Sequence, residues 1–347
     1  MPRTRLSRPA PARPARTGRA AAAAVATSAA VLALAACGGD SAATDAAGDD
    51  VVLRVGELGT AITQETLLDS AGEGDDLGYE VEYSLFGNGP AFMEAVPSGA
   101  VDLTVMADTP SIFAQVGDIP VKVVAVQDTL AEGESFVEIV ANPGSGIASV
   151  ADLAGKKVAV QPATILQYTV VRALEAEGLS YDDITPVELP LPDAAAALAK
   201  GDVDAVASLD PTLQQLKANG AVTIGDGEGF TTGYSYVVAT EAALADPAKA
   251  DAIGDYLARL GRSYDWTVDH AADWAATTSQ LTGLPEPVAL AAQERRGSGW
   301  VPIDDDVVAK QQEQADVYTA LGLIAEPLDV STEYDDRYDD QLTGGDQ

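Results

Sequence analysis

The sequence predicts an α/β fold of two hinged lobes joined by two crossing strands. Three observations predict it. Strands and helices alternate in two successive runs. The second run lies inside the span of the first, and an almost wholly helical stretch follows residue 246. In the first run VVLRVGEL (51–58) reads as a buried strand and 62–70 as a helix. YEVEYSLF (79–86) alternates as a strand does, 90–96 is helical, and DLTVM (102–106) makes a third strand. Thr109-Pro110 opens a helix, proline being suited to the first helical turn, and VKVVAVQ (121–127) is a fourth strand. The second run begins near residue 137, where FVEIVAN is a strand, SVADLAG a short helix, KKVAVQ a strand and 165–177 a helix. ITPVELP (184–190), a helix over 193–200, VDAVAS (203–208) and a helix over 211–219 follow, then AVTIG and YSYVVAT (234–240). Helices over 247–266, 270–281, 287–295 and 305–321 complete the chain. FVEIVAN and YSYVVAT are expected to cross between lobes, which sets lobe 1 at 51–137 plus 237–347 and lobe 2 at 138–236.

The length of 347 residues suits two domains, and 47% hydrophobic residues can fill their cores. The 54 acidic residues outnumber 20 basic ones, for a net charge of −34. Phosphate binding draws on clustered Lys and Arg, so nucleic acid is excluded as a partner. One Cys and one His exclude an internal disulfide and a Cys/His zinc site, and no metal or cofactor is expected. Asp304-Asp305-Asp306, Asp335-Asp336 and Asp339-Asp340 suggest calcium at first sight. They lack EF-hand spacing and read as a solvated acidic face.

Residues 1–36 carry six arginines and no acid, with an apolar run over 20–36. That is the layout of a secretory signal, and the run is shorter than the roughly 20 residues that span a bilayer. Leu34-Ala35-Ala36-Cys37 resembles a bacterial lipobox, with the chain's only Cys where the motif needs it. The resemblance implies lipidation of Cys37 and anchoring at the outer face of the cytoplasmic membrane, two acyl chains being enough for a stable anchor. GGDSAATDAAGDD has tether composition, so 37–50 is expected to be a flexible acidic tether. Loss of the six arginines takes the net charge from −34 to −40.

A family resemblance rests on FGNGPAFMEAVPSGAVDLTVMADTPSIFAQVGDIPVKVVAV (86–126), on SVADLAGKKVAVQ, on the helix with Tyr168 and Arg172, and on GDVDA and Asp210-Pro211. Pro302, Gln311-Gln312 and 316–322 extend it. Over roughly residues 52–330 the chain resembles the solute-binding proteins of ABC importers in the aliphatic sulfonate, nitrate and taurine (NMT1-like) group. The resemblance implies a type II periplasmic-binding-protein fold. It implies capture of a small organic anion, most of all an aliphatic sulfonate, by hinge closure, and delivery to permease subunits by a monomer. Nitrate, taurine or a thiamine-pyrimidine precursor are alternative ligands. The chain departs from the family at Pro162-Ala163-Thr164, where a Gly/Ser-rich turn is common, and at Leu209, where an aromatic is common.

Several expected helix starts would meet in the cleft: Gly59-Thr60, Gly89-Pro90, Thr109-Pro110, Thr164 and Asp210-Pro211. Free N–H groups at a helix start, with the dipole behind them, attract an anion. Thr60, Thr109 and Thr164 add hydroxyl donors, and such a site needs no buried Arg. The same residues are ordinary caps, and both readings stay open for Asn88, Gly89, Thr109 and Thr164. Asp108 and Asp210 cap helices or meet an ammonium group on the ligand. Phe86, Tyr168 and Tyr234 pack on the ligand's carbon portion or fill core. Trp266, Trp274 and Trp300 read as packing residues. An enzyme resembling the thiamine-pyrimidine synthases is the rival class. It depends on His and Cys residues, and here His270 stands alone in the helical part.

Overall fold

Two sheets organise the chain in the computed structural model, which describes residues 51–58, 62–86, 89–131, 134–135 and 137–344. The signal segment, Cys37 and the tether, with Gly59, Thr60 and Asn88, lie outside the described residues. In chain order the first part runs β1 (Val52–Leu58), α1 (Gln64–Ala71), β2 (Glu80–Phe86), α2 (Gly89–Ala95), β3 (Leu103–Ala107), α3 (Asp108–Val116) and β4 (Val121–Asp128). The second part is β5 (Glu138–Ala141), β6 (Lys157–Val160), α4 (Ile165–Ala176), β7 (Thr185–Glu188), α5 (Leu191–Lys200), β8 (Ala205–Ser208), α6 (Thr212–Ala218) and β9 (Val222–Asp226). The chain then returns through β10 (Tyr234–Thr240), α7 (Glu241–Ala245), α8 (Pro247–Asp269), α9 (Ala271–Thr282), α10 (Glu286–Gln293), β11 (Trp300–Val301), α11 (Asp305–Ala320) and α12 (Asp339–Thr343). The helix expected over 149–155 is a 3-10 turn at Val150–Leu153, held by a Ser149/Asp152 capping box.

The first sheet has the order β11-β4-β10-β3-β1-β2 and the second β7-β6-β8-β5-β9. β1 pairs in parallel with β2 and β3, whereas β10 runs antiparallel to β3 and β4. In the second sheet β6 is parallel to β7 and β8, and β5 antiparallel to β8 and β9. The reversals mark where the chain changes lobes. The crossings lie beside the strands expected to make them: β5 is hydrogen-bonded wholly within the second sheet, and β10 enters the first sheet at Tyr234. Apolar residues cover both faces of each sheet, from Leu53, Val55 and Val124 in the first to Ile139, Val158 and Val206 in the second. One core crosses between lobes, because Ile112 of α3 and Ala315 and Tyr318 of α11 are buried with Ile139, Ile165 and Tyr168.

Three chain segments pack side by side where the lobes meet. The Thr129 N–H donates to the Gly233 carbonyl at 3.1 Å, the Gly297 N–H to Thr129 at 3.1 Å and the Ala131 N–H to Arg295 at 3.0 Å. A side chain at Gly297 would run into the Leu130 backbone, and Gly233, at φ +70°, would strike the Leu130 side chain. Arg295 closes this junction. Its guanidinium lies 2.8 Å from Glu138, 2.8 Å from Glu134 and 3.6 Å from Asp210. Burial works against the Glu138 charge, yet hydrogen bonds from Lys217 and Thr223 and the nearby Arg295 hold its pKa below the usual range. Removing one partner strands buried charge, which typically costs about 3–5 kcal/mol. Arg295→Met is therefore expected to lower unfolding stability in urea by that amount. Lys217→Met, at a more open edge of the cluster, is expected to cost about 1 kcal/mol or less. Equal, small losses for both would remove Arg295 from this role.

Candidate functional site

The expected helix starts divide into spent and open ones. At α1 the Glu57 carboxylate accepts the Gln64 N–H at 2.7 Å and the Glu65 N–H at 3.3 Å, while Thr63 caps Thr66 at 3.1 Å. Burial pushes Glu57 up to about 7, against the pull of these donors. At α3 the Asp108 carboxylate accepts both the Thr109 N–H, at 2.6 Å, and the Thr109 hydroxyl, at 3.1 Å. Thr232 donates to its other oxygen at 3.1 Å. Asp108 is buried and raised in pKa by that burial. Both starts hold an internal carboxylate where an external anion was expected.

The start of α4 carries no side-chain cap. The Thr164 hydroxyl donates instead to the Gln161 carbonyl at 2.6 Å. Ala163, in the turn that departs from the family, sits at φ +53°, where L-residues are strained, and its N–H is held by Gln167 at 2.8 Å. α6 likewise has no side-chain cap, and Asp210 turns to Gln214 at 3.0 Å and to Arg295. Gly89 opens α2 against Pro110, with room for a Cβ only at 3.0 Å. The hydroxyls of Thr109 and Thr164 are thus satisfied within the protein.

Tyr318 joins these elements. Its hydroxyl donates to the Thr164 carbonyl at 2.9 Å and lies 3.4 Å from the Thr109 hydroxyl. Its ring packs on Phe113 at 5.4 Å and Tyr168 at 6.2 Å. Tyr168 is buried, with the Arg172 guanidinium 5.9 Å from its ring and burial raising its phenol to about 12. Arg172 in turn pairs with Glu313 of α11. Phe86 packs edge-on to Phe92 at 5.7 Å, and the Tyr234 hydroxyl accepts from Lys310 at 3.2 Å. Tyr168 and Phe86 therefore serve packing in this arrangement.

A cavity of about 270 Å³ opens beside the crossing, lined in part by Thr129, Asp210-Pro211 and Gly297. Its lining includes the polar residues Gln127, Ser235, Asp210 and Arg296 and the apolar or aromatic residues Leu67, Tyr264, Trp274 and Ala289. Of the expected site residues it takes in Asp210, and Ile62 beside Gly59-Thr60 also lines it. Burial lowers the Arg296 pKa, with the Asp210 charge opposing. Sequence reasoning missed Arg296, Gln127 and Gln293. The one available signal was Arg295-Arg296, an adjacent pair in a chain poor in basic residues. Trp274, expected only to pack, packs and also walls the cavity. His270 stacks on Trp266 at 4.9 Å, with Nδ1 3.0 Å from the Trp266 carbonyl, at the junction of α8 and α9. The acidic runs are used locally: Asp304 caps α11, Asp335 pairs with Arg337, and Asp339 accepts the Ile303 N–H at 2.7 Å.

The NMT1/THI5 like family model matches residues 75–273, more than half of the chain. A protein of Escherichia coli K12 described as aliphatic sulfonates-binding is 32% identical over 254 residues, covering 72% of this chain and 78% of the relative. A Bacillus subtilis protein of the same description is 27% identical over 332 residues, covering 91% and 97%. Among solved structures, the alkanesulfonate-binding protein SsuA of Xanthomonas axonopodis pv. citri, bound to MOPS, superposes with a TM-score of 0.72 at 26% identity, covering 82% of this chain and 98% of its own.

Glu57 makes α1 pH-sensitive. Its folded pKa of about 7 lies above the ordinary 4.5, so the folded state holds its proton more tightly than the unfolded chain. That contribution is full below about pH 4.5 and is lost as the pH rises through 7. At about 1.4 kcal/mol per pKa unit the full loss is on the order of 3–4 kcal/mol. Urea unfolding of wild type and Glu57→Gln at pH 5 and pH 8 is expected to show a steeper decline for wild type. Parallel declines would mean that Glu57 titrates alike in both states.

Proposed function

This chain belongs to the NMT1/THI5-like family, and on that premise we propose that it is the extracytoplasmic solute-binding lipoprotein of an ABC importer, with an aliphatic sulfonate as its ligand. The single observation carrying the ligand class is the likeness, over most of both chains, to proteins described as aliphatic sulfonates-binding. The fold supports the mode of action. Two lobes meet at paired crossings, and a ligand that touches both favours the closed state through its added contacts. We assign to Asp108, Thr109, Thr164, Tyr168, Asp210 and Tyr234 a part in shaping the cleft through backbone and packing rather than free hydroxyls, a reading supported by the contacts of Thr109, Thr164 and Tyr168 with Tyr318 and of Asp210 with Arg295. Cys37 would tether a monomer to the outer face of the membrane, where permease subunits receive the solute. His270, stacked and hydrogen-bonded in the helical part, supports a binding role over a catalytic one.

Thermal unfolding of the full chain against alkanesulfonates, taurine, sulfate, nitrate and pyrimidine precursors tests the ligand. A ligand at about 100 times its Kd adds roughly 2.7 kcal/mol, which raises the midpoint by about 2–4 °C per kcal/mol at this size. A rise with alkanesulfonates is expected, and a rise with another solute alone would overturn the assignment. For the anchor, Cys37→Ser is expected to abolish palmitate labelling and to move the protein out of the membrane fraction. Retained label would place the lipid elsewhere.

A further inference from the structure

The chain between α11 and α12 straps α3, β4 and α11 together. The Gln312 carboxamide donates to the Leu328 carbonyl at 2.8 Å and accepts the Val330 N–H at 3.1 Å. Gln115 of α3 donates to the Asp329 carbonyl at 2.6 Å and to the Thr332 hydroxyl at 2.8 Å. The Asp335 N–H donates to the Val123 carbonyl of β4 at 2.9 Å, beside a parallel bridge between Val123 and Tyr334. The Tyr334 hydroxyl donates to Gln311 of α11. Among these contacts sits Glu333, the last residue of a 3-10 turn over Val330–Glu333. It is 8% exposed, and its Oε2 is buried without a hydrogen-bond partner among the described residues. A buried carboxylate left unpaired is costly, and the neutral acid far less so. Lys122 of β4 is the cation that acts on it, and that ammonium is engaged by the Thr332 carbonyl at 2.7 Å and by Glu241 at 3.6 Å. Glu241, which opens α7, adds a like charge; Tyr334 beside it is an uncharged phenol, and Gln115 of α3 is neutral. Burial outweighs Lys122 and pushes Glu333 up to about 7.

We propose that Glu333 is a proton-held clasp: protonated, it lets the strap pack on β4 and α3, and on ionisation the strap loosens there while the two sheets stay folded. Opening the strap hydrates Glu333 and returns it to its ordinary range near 4.5, so the closed strap binds the proton more tightly than the open one. The contribution is full below about pH 4.5 and is lost as the pH rises through 7. The strap also holds Gln311 and Gln312, and the same helix presents Tyr318 to the Thr164 carbonyl before α4. Proton release at Glu333 is thus felt by the helix that reaches across to the second lobe.

Amide hydrogen exchange of the full chain at pH 5.5 and pH 8.5, taken as protection relative to the intrinsic rate at each pH, tests this. In wild type, protection of the Val330 and Asp335 N–H groups is expected to fall about tenfold or more between the two. Glu333→Gln keeps the size of the side chain and removes its titration, so protection there is expected to stay level. Amides of β1 and α1, which answer to Glu57, are expected to respond alike in both proteins. Glu241→Gln removes the facing like charge and is expected to shrink the wild-type fall, a second readout should Glu333→Gln fold poorly. Level strap protection in wild type, a full fall in Glu333→Gln, or a fall in Glu241→Gln as large as that of wild type would each overturn the clasp. A response of β1 and α1 that changes along with the strap in Glu333→Gln would mean global opening, and would overturn it too.

Discussion

The junction at the lobe crossings depends on Arg295. Three carboxylates from two parts of the chain converge on one guanidinium: Glu134 and Glu138 from the first crossing and Asp210 from the loop before α6. Asp210 and Arg295 are far in the chain from Glu134 and Glu138 and from each other, so only the tertiary arrangement brings the cluster together. Lys217 and Arg296 stand beside them, and three cations then meet three carboxylates. Local balance is what allows charge to be buried at all in a chain so acidic. It also fixes the backbone of 129–131 and 295–297, whose hydrogen bonds to each other and to Gly233 set the path of the crossings.

The second constraint is how the helix starts are used. An N-terminal turn with free N–H groups attracts an anion from any source, and here two of the five expected starts are met by the protein's own acids. Glu57 and Asp108 are both buried with raised pKa values, a sign that desolvation outweighs the donors around them. An external anion would add a like charge at these places. Net charge matters little to this balance, because salt screens it beyond about 8 Å.

α11 couples the lobes on the other side. Tyr318 touches α3 through Thr109 and Phe113 and α4 through Thr164 and Tyr168, so one side chain reports the separation of two helices. The Arg172–Glu313 pair runs parallel to it at the surface. Movement of the lobes must break or slide these contacts, which makes α11 part of the closing surface as well as of the first lobe's chain path.

Period and punctuation determined much of this in advance. Alternating apolar residues set the strands, Thr-Pro and Asp-Pro steps marked the openings of α3 and α6, and the late helices began and ended within a few residues of their expected places, because those signals act over single turns. The nested lobes were legible in the order of elements, and the family in the spacing of short motifs. The site was less legible. Whether a threonine caps, donates to a ligand or bonds a neighbouring carbonyl depends on what lies across the cleft, and sequence spacing carries no such information: Thr109 is held by Asp108 and Thr164 by Gln161. Arg296 could not be picked out for the same reason, since it lines a cavity with Gln127 on β4 and Trp274 on α9, more than 160 and more than 20 residues away in the chain. Local periodicity decides which elements form; long-range packing and desolvation decide which polar groups meet one another.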